Sequence, residues 1–271
     1  MKTSNPLKWH GGKSYLAKWI ISHMPEHTHY VEPFFGGGAV LFARTGEGVS
    51  EVVNDVNQDL INFWSVLSSP DHYGEFERLV SMTPFSEDEF REACEAARLP
   101  HTIPDIERAG EFFVRYRQSR QGLGKDFATL SRNRTRRGMN EQVSAWLSAI
   151  DGLPEAHERL RRVVVLNSPA VEVIKQQDGP DTLFYCDPPY LHETRNTTSD
   201  YEFEMSEADH IDLLETLANI KGKFLLSGYP SELYQSHADA NGWTCEMMQI
   251  DNKASSKKTK EQKTECLWRN Y

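Results

Sequence analysis

Seven short runs of β-branched and aromatic residues recur along this chain, most of them separated by helical patterns, and that alternation limits the fold more than any other feature. The runs are Tyr30–Phe34, Glu51–Val56, Arg162–Asn167, Thr182–Cys186, Lys223–Ser227, Cys245–Ile250 and Thr264–Trp268. Helical periodicity covers Ser14–Met24, Ala39–Arg44, Gln58–Leu67, Pro169–Lys175, Ser206–Asn219 and Ser231–Ala238. Strands joined through helices need crossover connections, so they predict an α/β fold with a mostly parallel, doubly wound sheet. The last two runs have no helical pattern between them and predict a C-terminal antiparallel hairpin at the sheet edge. Ser206, three residues before Asp209, marks a helix start, and Gly222 marks a stop.

The rhythm stops between Ser68 and Leu160. There Ser86–Arg98, Asp105–Arg120 and Asn140–Ile150 read as helices, and the Gly-, Arg- and Asn-rich Gln121–Arg137 reads as a long loop. The expected organisation is one sheet domain from residues 1–67 and 161–271, with a helical insertion over 68–160. A long irregular stretch inside a compact domain usually has a task of its own.

Charge supports that division. The net charge is −10, yet Arg108–Arg137 holds nine Lys/Arg against Glu111 and Asp126. A second basic run, Lys253–Lys263, has five lysines and one glutamate. Such runs either contact a polyanion or are solvated loops, and charge alone leaves both readings open. Cys94, Cys186, Cys245 and Cys266 lack metal-ligand or disulfide-framework spacing, which fits a reducing cytoplasm. No apolar run approaches the ~20 residues of a membrane span, and the polar N-terminus lacks the apolar core of a secretory signal.

Two motifs carry chemistry. Glu32-Pro33-Phe34-Phe35-Gly36-Gly37-Gly38-Ala39 follows the first strand and opens a helix; glycines there let the backbone turn sharply and approach a ligand. Asp55 closes the next strand, 19 residues after Gly36, where a carboxylate can accept hydrogen bonds from ribose hydroxyls. A nicotinamide or another adenosine cofactor fits that spacing, but Leu41 stands where the pyrophosphate fingerprint needs its third glycine. The second motif is Phe184-Tyr185-Cys186-Asp187-Pro188-Pro189-Tyr190. Two prolines cannot extend a parallel ladder, so they stop the strand and fix a rigid turn at the carboxyl edge of the sheet. An exocyclic amine such as adenine N6 is a poor nucleophile because its lone pair is delocalised. The Asp187 carboxylate and the Pro188 carbonyl can accept its two hydrogens and draw the nitrogen toward tetrahedral geometry. Tyr190 offers a ring for stacking a base taken out of its helix. Transfer of a methyl group from a sulfonium donor would then need positioning and electrostatics, without a metal.

In this order and spacing the chain resembles the Dam-type, Asp-Pro-Pro-Tyr class of DNA adenine-N6 methyltransferases. The resemblance rests on Leu7-Lys8-Trp9-His10-Gly11-Gly12-Lys13, on Val31–Gly38 with Asn54-Asp55-Val56-Asn57, on Asp187–Tyr190, and on the C-terminal Thr264–Tyr271. It implies a Rossmann-like methyltransferase sheet and S-adenosylmethionine as cofactor. Trp9, Lys13, Glu32, Phe34, Gly36, Gly38, Asp55 and Asp187 would bind that cofactor; Asp187, Pro188 and Tyr190 would be catalytic. Residues 68–160 would recognise double-stranded DNA, with Arg120, Lys125, Arg132, Arg134, Arg136 and Arg137 on it, joined by Lys257 and Lys258 from the second basic run. The chain departs from the family at Asn167-Ser168, where a Gly-Asp pair is common. The resemblance also implies a cytoplasmic protein of a bacterium or phage-infected cell, with a cognate restriction endonuclease as a candidate partner. Rival readings keep the fold with cytosine N4 or an RNA base as target, or reduce the chain to a silent DNA-binding module. A nicotinamide oxidoreductase is disfavoured by the missing third glycine.

Overall fold

The computed structural model describes residues 5–100, 102–130, 132–191, 203–251 and 262–271. The strands are β1 His29–Glu32, β2 Ser50–Asn54, β3 Thr135–Arg136, β4 Met139–Asn140, β5 Val163–Leu166, β6 Thr182–Cys186, β7 Lys223–Gly228, β8 Thr244–Asp251 and β9 Gln262–Arg269. The helices are α1 Ala17–Ser22, α2 Ala39–Ala43, α3 Gln58–Ser68, α4 Tyr73–Met82, α5 Glu87–Ala96, α6 Ile106–Arg117, α7 Glu141–Asp151, α8 Leu153–Leu160, α9 Ala170–Gln177, α10 Glu207–Asn219 and α11 Glu232–Asn241. By packing, the chain forms two compact units. The first comprises Met1–Ile21, Gly36–Glu47 and Asn57–Asn167; the second comprises Ser22–Phe35, Gly48–Val56 and Ser168–Tyr271. This division follows packing and is separate from the expected division by role.

In the second unit the strands run in the order β2–β1–β6–β7–β9–β8. β1 pairs in parallel with β2 and β6, β6 in parallel with β7, and β9 antiparallel with both β7 and β8. The expected mostly parallel sheet with a C-terminal antiparallel pair is therefore present. β6 is buried at all five positions, as a central parallel strand covered on both faces must be. Ser206 and Asp209 form a reciprocal capping box at the start of α10, which satisfies two otherwise open backbone donors.

The first unit is mostly helical. Its core is aromatic: Phe63 stacks on Phe113 at 5.8 Å and meets Phe76 edge-on at 5.8 Å, and Phe113 lies 5.2 Å from Trp146. Arg108, 6% exposed, bridges α6 to α3 through two hydrogen bonds to Asp59 at 3.1 and 3.0 Å. This arginine of the basic segment is thus a structural clamp.

Several elements differ from expectation. α1 is shorter than Ser14–Met24 because Pro25 disfavours helical backbone at Met24. The helices α4 and α8 lie in stretches assigned no element; α4 buries only Phe76 and Val80, too thin a stripe to read. The presumed loop Gln121–Arg137 contains a 3-10 turn at Arg120–Gly122 and a small hairpin, with Arg137 (φ 56°) and Gly138 (φ 75°) at its tip. Two successive left-handed residues make the turn that suits a two-residue hairpin, but arginine carries no sequence signal for it. Among the described residues no helix is long and apolar enough to cross a membrane.

Candidate active site

Parallel pairing places three strand ends side by side in the second unit. Glu32 ends β1, Asp55 directly follows the last residue of β2, and Asp187 directly follows the last residue of β6. In register, Glu32 is level with Val53, and Val31 with Phe184. The three carboxylates therefore share the carboxyl edge of the sheet, where open α/β folds bind ligands. Glu32 is 2% exposed and accepts a hydrogen bond from the Tyr30 hydroxyl at 2.8 Å. Asp55 and Asp187 are half-buried, as is Phe34.

Asn54, fully buried, locks this edge. Its Nδ2 donates to the carbonyls of Pro33 (2.9 Å) and Ser168 (3.0 Å), and its Oδ1 accepts from the Ser168 N–H at 2.9 Å. Its own carbonyl accepts from the Phe35 N–H at 2.8 Å. The ends of β1 and β2 and the approach to α9 are tied by one side chain. At Ser168 the contacts come from the backbone.

The prolines stop β6 as expected. Pro188 is buried, and Tyr190, 7% exposed, donates its hydroxyl to the Glu265 carboxylate of β9. Tyr229, just past β7, meets the Tyr190 ring edge-on at 4.6 Å. Burial above all, then the Glu265 charge, pushes the Tyr190 hydroxyl well above its ordinary pKa, so it remains a donor at neutral pH. Burial, then Asp187, likewise raises the Cys186 thiol, which leaves it protonated and a poor nucleophile.

In the first unit, Trp9 closes over the glycine turn. A Cβ on Gly37 would stand 2.6 Å from the Trp9 Cβ, and one on Gly36 (φ +49°) would stand 3.0 Å from its Nε1. Gly38, at φ 70°, caps α2. Trp9 also packs on Tyr116 and Phe112, at 4.8 and 6.2 Å, so it anchors the N-terminal segment on α6. Lys13, 7% exposed, donates to the Gly11 carbonyl at 3.4 Å. Lys8 donates to the Ser119 carbonyl at 2.7 Å. Burial lowers the Lys8 pKa, and Arg117 lowers it further; burial brings Arg117 itself down to about 10.

From Arg120 onward the basic segment keeps its charges outward, whereas Arg108 is buried and Arg115 and Arg117 are half-buried. Arg120, Lys125, Arg132, Arg134, Arg136 and Arg137 are all exposed. Arg134 pairs with Glu141 at 3.1 Å and Arg137 with Asp151 at 3.4 Å; exposed pairs of this kind are weak and exchangeable. Lys257 and Lys258 lie outside the described residues. Sequence reasoning did not single out Asn54, Glu265, Tyr229, Lys8 or Arg117. The motifs Asn54-Asp55, Leu7–Lys13 and Thr264–Tyr271 contained three of them; Glu265 meets Tyr190 across 75 residues of chain, and no local signal gave that pairing.

In the first unit Trp9 occupies the space that side chains at Gly36 and Gly37 would need. The acidic strand ends of the second unit supply acceptors for ribose hydroxyls and for a sulfonium cation, and fit a nucleoside-type cofactor. Comparison with known proteins points the same way. A model of the D12 class N6 adenine-specific DNA methyltransferases matches residues 9–247. A DNA N-6-adenine-methyltransferase of Escherichia phage P1 is 30% identical over 249 residues, 84% of this chain but only 30% of the phage protein. A type II methyltransferase of Lactococcus lactis subsp. cremoris is 27% identical over 97% of this chain and 94% of its own. A DNA adenine methylase of Salmonella typhi is 26% identical over 84% of this chain and 81% of its own.

Proposed function

Because this chain belongs to the D12 class N6 adenine-specific DNA methyltransferase family, we propose that it methylates adenine N6 in double-stranded DNA, using S-adenosylmethionine, on a base turned out of the helix. The observation that carries this reading is Asp187-Pro188 at the end of β6, level with the acidic ends of β1 and β2. The Asp187 carboxylate and Pro188 carbonyl accept the two N6 hydrogens and localise the nitrogen lone pair. Tyr190, two residues on, supplies the aromatic surface for the base.

Bound at this edge, S-adenosylmethionine supplies an electrophilic methyl group on a sulfonium centre. In the second unit Asp55 would accept from its ribose hydroxyls, Glu32 and Phe34 would line its pocket, and Asp187 would serve both cofactor and base. The family resemblance assigns Trp9, Lys13, Gly36 and Gly38, which lie in the first unit, to cofactor contact as well. Residues 1–67 and 161–271 act as the catalytic part and 68–160 as the DNA-recognition part. Arg120, Lys125, Arg132, Arg134, Arg136 and Arg137 neutralise phosphates or read base edges, with Lys257 and Lys258 assigned to the same task. A cytoplasmic setting and a cognate restriction endonuclease fit the type II names of relatives.

The test is Asp187→Ala assayed beside the wild type on methylation-free DNA. Loss of one preorganised acceptor should lower kcat by about 10²–10³-fold, with DNA affinity retained. Activity above about a tenth of wild type, the loss one 1.4 kcal/mol contact would cause, removes Asp187 from the proposed role.

A further inference from the structure

Tyr190 is held by more than its own turn. Its hydroxyl donates to Glu265, a carboxylate 1% exposed that comes from β9. Tyr229, from the end of β7, packs against the Tyr190 ring at an interplanar angle of 76°. The Lys263 ammonium sits 4.8 Å above the Tyr229 ring. The antiparallel pairing of β9 with β7 sets Cys266 level with Gly228, and so brings the preceding residue, Glu265, to the end of β7. The final strand thus delivers a buried carboxylate to the Asp-Pro-Pro-Tyr turn.

Burying a carboxylate is costly unless a donor meets it. A phenol and an apolar ring pocket could be built without that charge, so its presence needs a reason beyond packing. With only 7% of Tyr190 exposed, the pitch of the ring decides whether any face is open to a base. A hydrogen bond to this buried carboxyl oxygen is directional, and fixes both the ring and, two residues back, the Pro188 carbonyl. We propose that Glu265 is a positioning residue for methyl transfer: through the Tyr190 hydroxyl it sets the ring that receives the target base and stiffens the acceptor turn. The assignment rests on the reading of Tyr190 as the base platform.

The experiment is a double-mutant cycle on kcat and DNA KM with methylation-free plasmid DNA, using Glu265→Ala, Tyr190→Phe and both together, with Glu265→Gln as the conservative variant. Glu265→Ala should lower kcat about tenfold, the scale of leaving a buried donor without its acceptor. It should leave cofactor affinity within about twofold, well inside one 1.4 kcal/mol contact. Added to Tyr190→Phe it should lower kcat no further, because the hydroxyl it acts through is gone. Glu265→Gln, whose amide oxygen still accepts, should recover most of the loss. Additive effects, or a lower melting temperature with kcat unchanged, overturn the assignment and leave the function standing. A wild type that transfers no methyl group to DNA overturns both.

Discussion

The acidic edge of the sheet and the arginine-rich segment before α7 handle charge in opposite ways. At the edge, Glu32, Asn54 and Glu265 are at most 2% exposed, and each is held by a buried hydrogen bond. From Arg120 to Arg137 the cations stand in solvent, and Arg134 and Arg137 meet a half-buried Glu141 at 3.1 Å and an exposed Asp151 at 3.4 Å. Buried polar groups need satisfied partners and so keep one geometry. Exposed ion pairs cost little to exchange, so the same arginines can pass from a carboxylate to a phosphate. A reaction that needs two acceptors aimed at one nitrogen belongs on the first kind of surface. Contact with a regular polyanion suits the second.

The contrast breaks most sharply at Asn54. Asn54→Ala removes three hydrogen bonds, the one to Pro33 buried and the two to Ser168 part-buried, and leaves the Pro33 and Ser168 groups unmet. Stability should fall by about 2–4 kcal/mol in chemical denaturation. A loss below about 0.5 kcal/mol, typical of surface changes, would mean the edge does not depend on this lock. A smaller effect is expected from Arg134→Glu with Arg136→Glu. DNA affinity should drop about ten- to a hundredfold at low salt, and the slope of log K against log salt should shrink by about two. Melting temperature and cofactor affinity should not change. Unaltered salt dependence would take the segment off the DNA.

Much of this was legible in the sequence because the strong signals are local. β6 is an apolar run cut off by two prolines, and the cap at Ser206–Asp209 spans three residues. All seven expected strands of the main pattern are present, with no end shifted by more than two positions. What escaped depends on partners far along the chain or on weak patterns. Glu265 looks like an ordinary alternating strand residue until β9 pairs with β7. The Arg137-Gly138 hairpin uses a left-handed arginine, which composition does not announce. Arg108 counts as basic charge in the sequence, yet its guanidinium is taken by Asp59.

The most direct measurement is mass spectrometry of nucleosides from methylation-free duplex DNA after incubation with the purified protein and S-adenosylmethionine. The account predicts N6-methyladenine as the product. N4-methylcytosine, or no methylated nucleoside from a protein that demonstrably binds the cofactor, would contradict it.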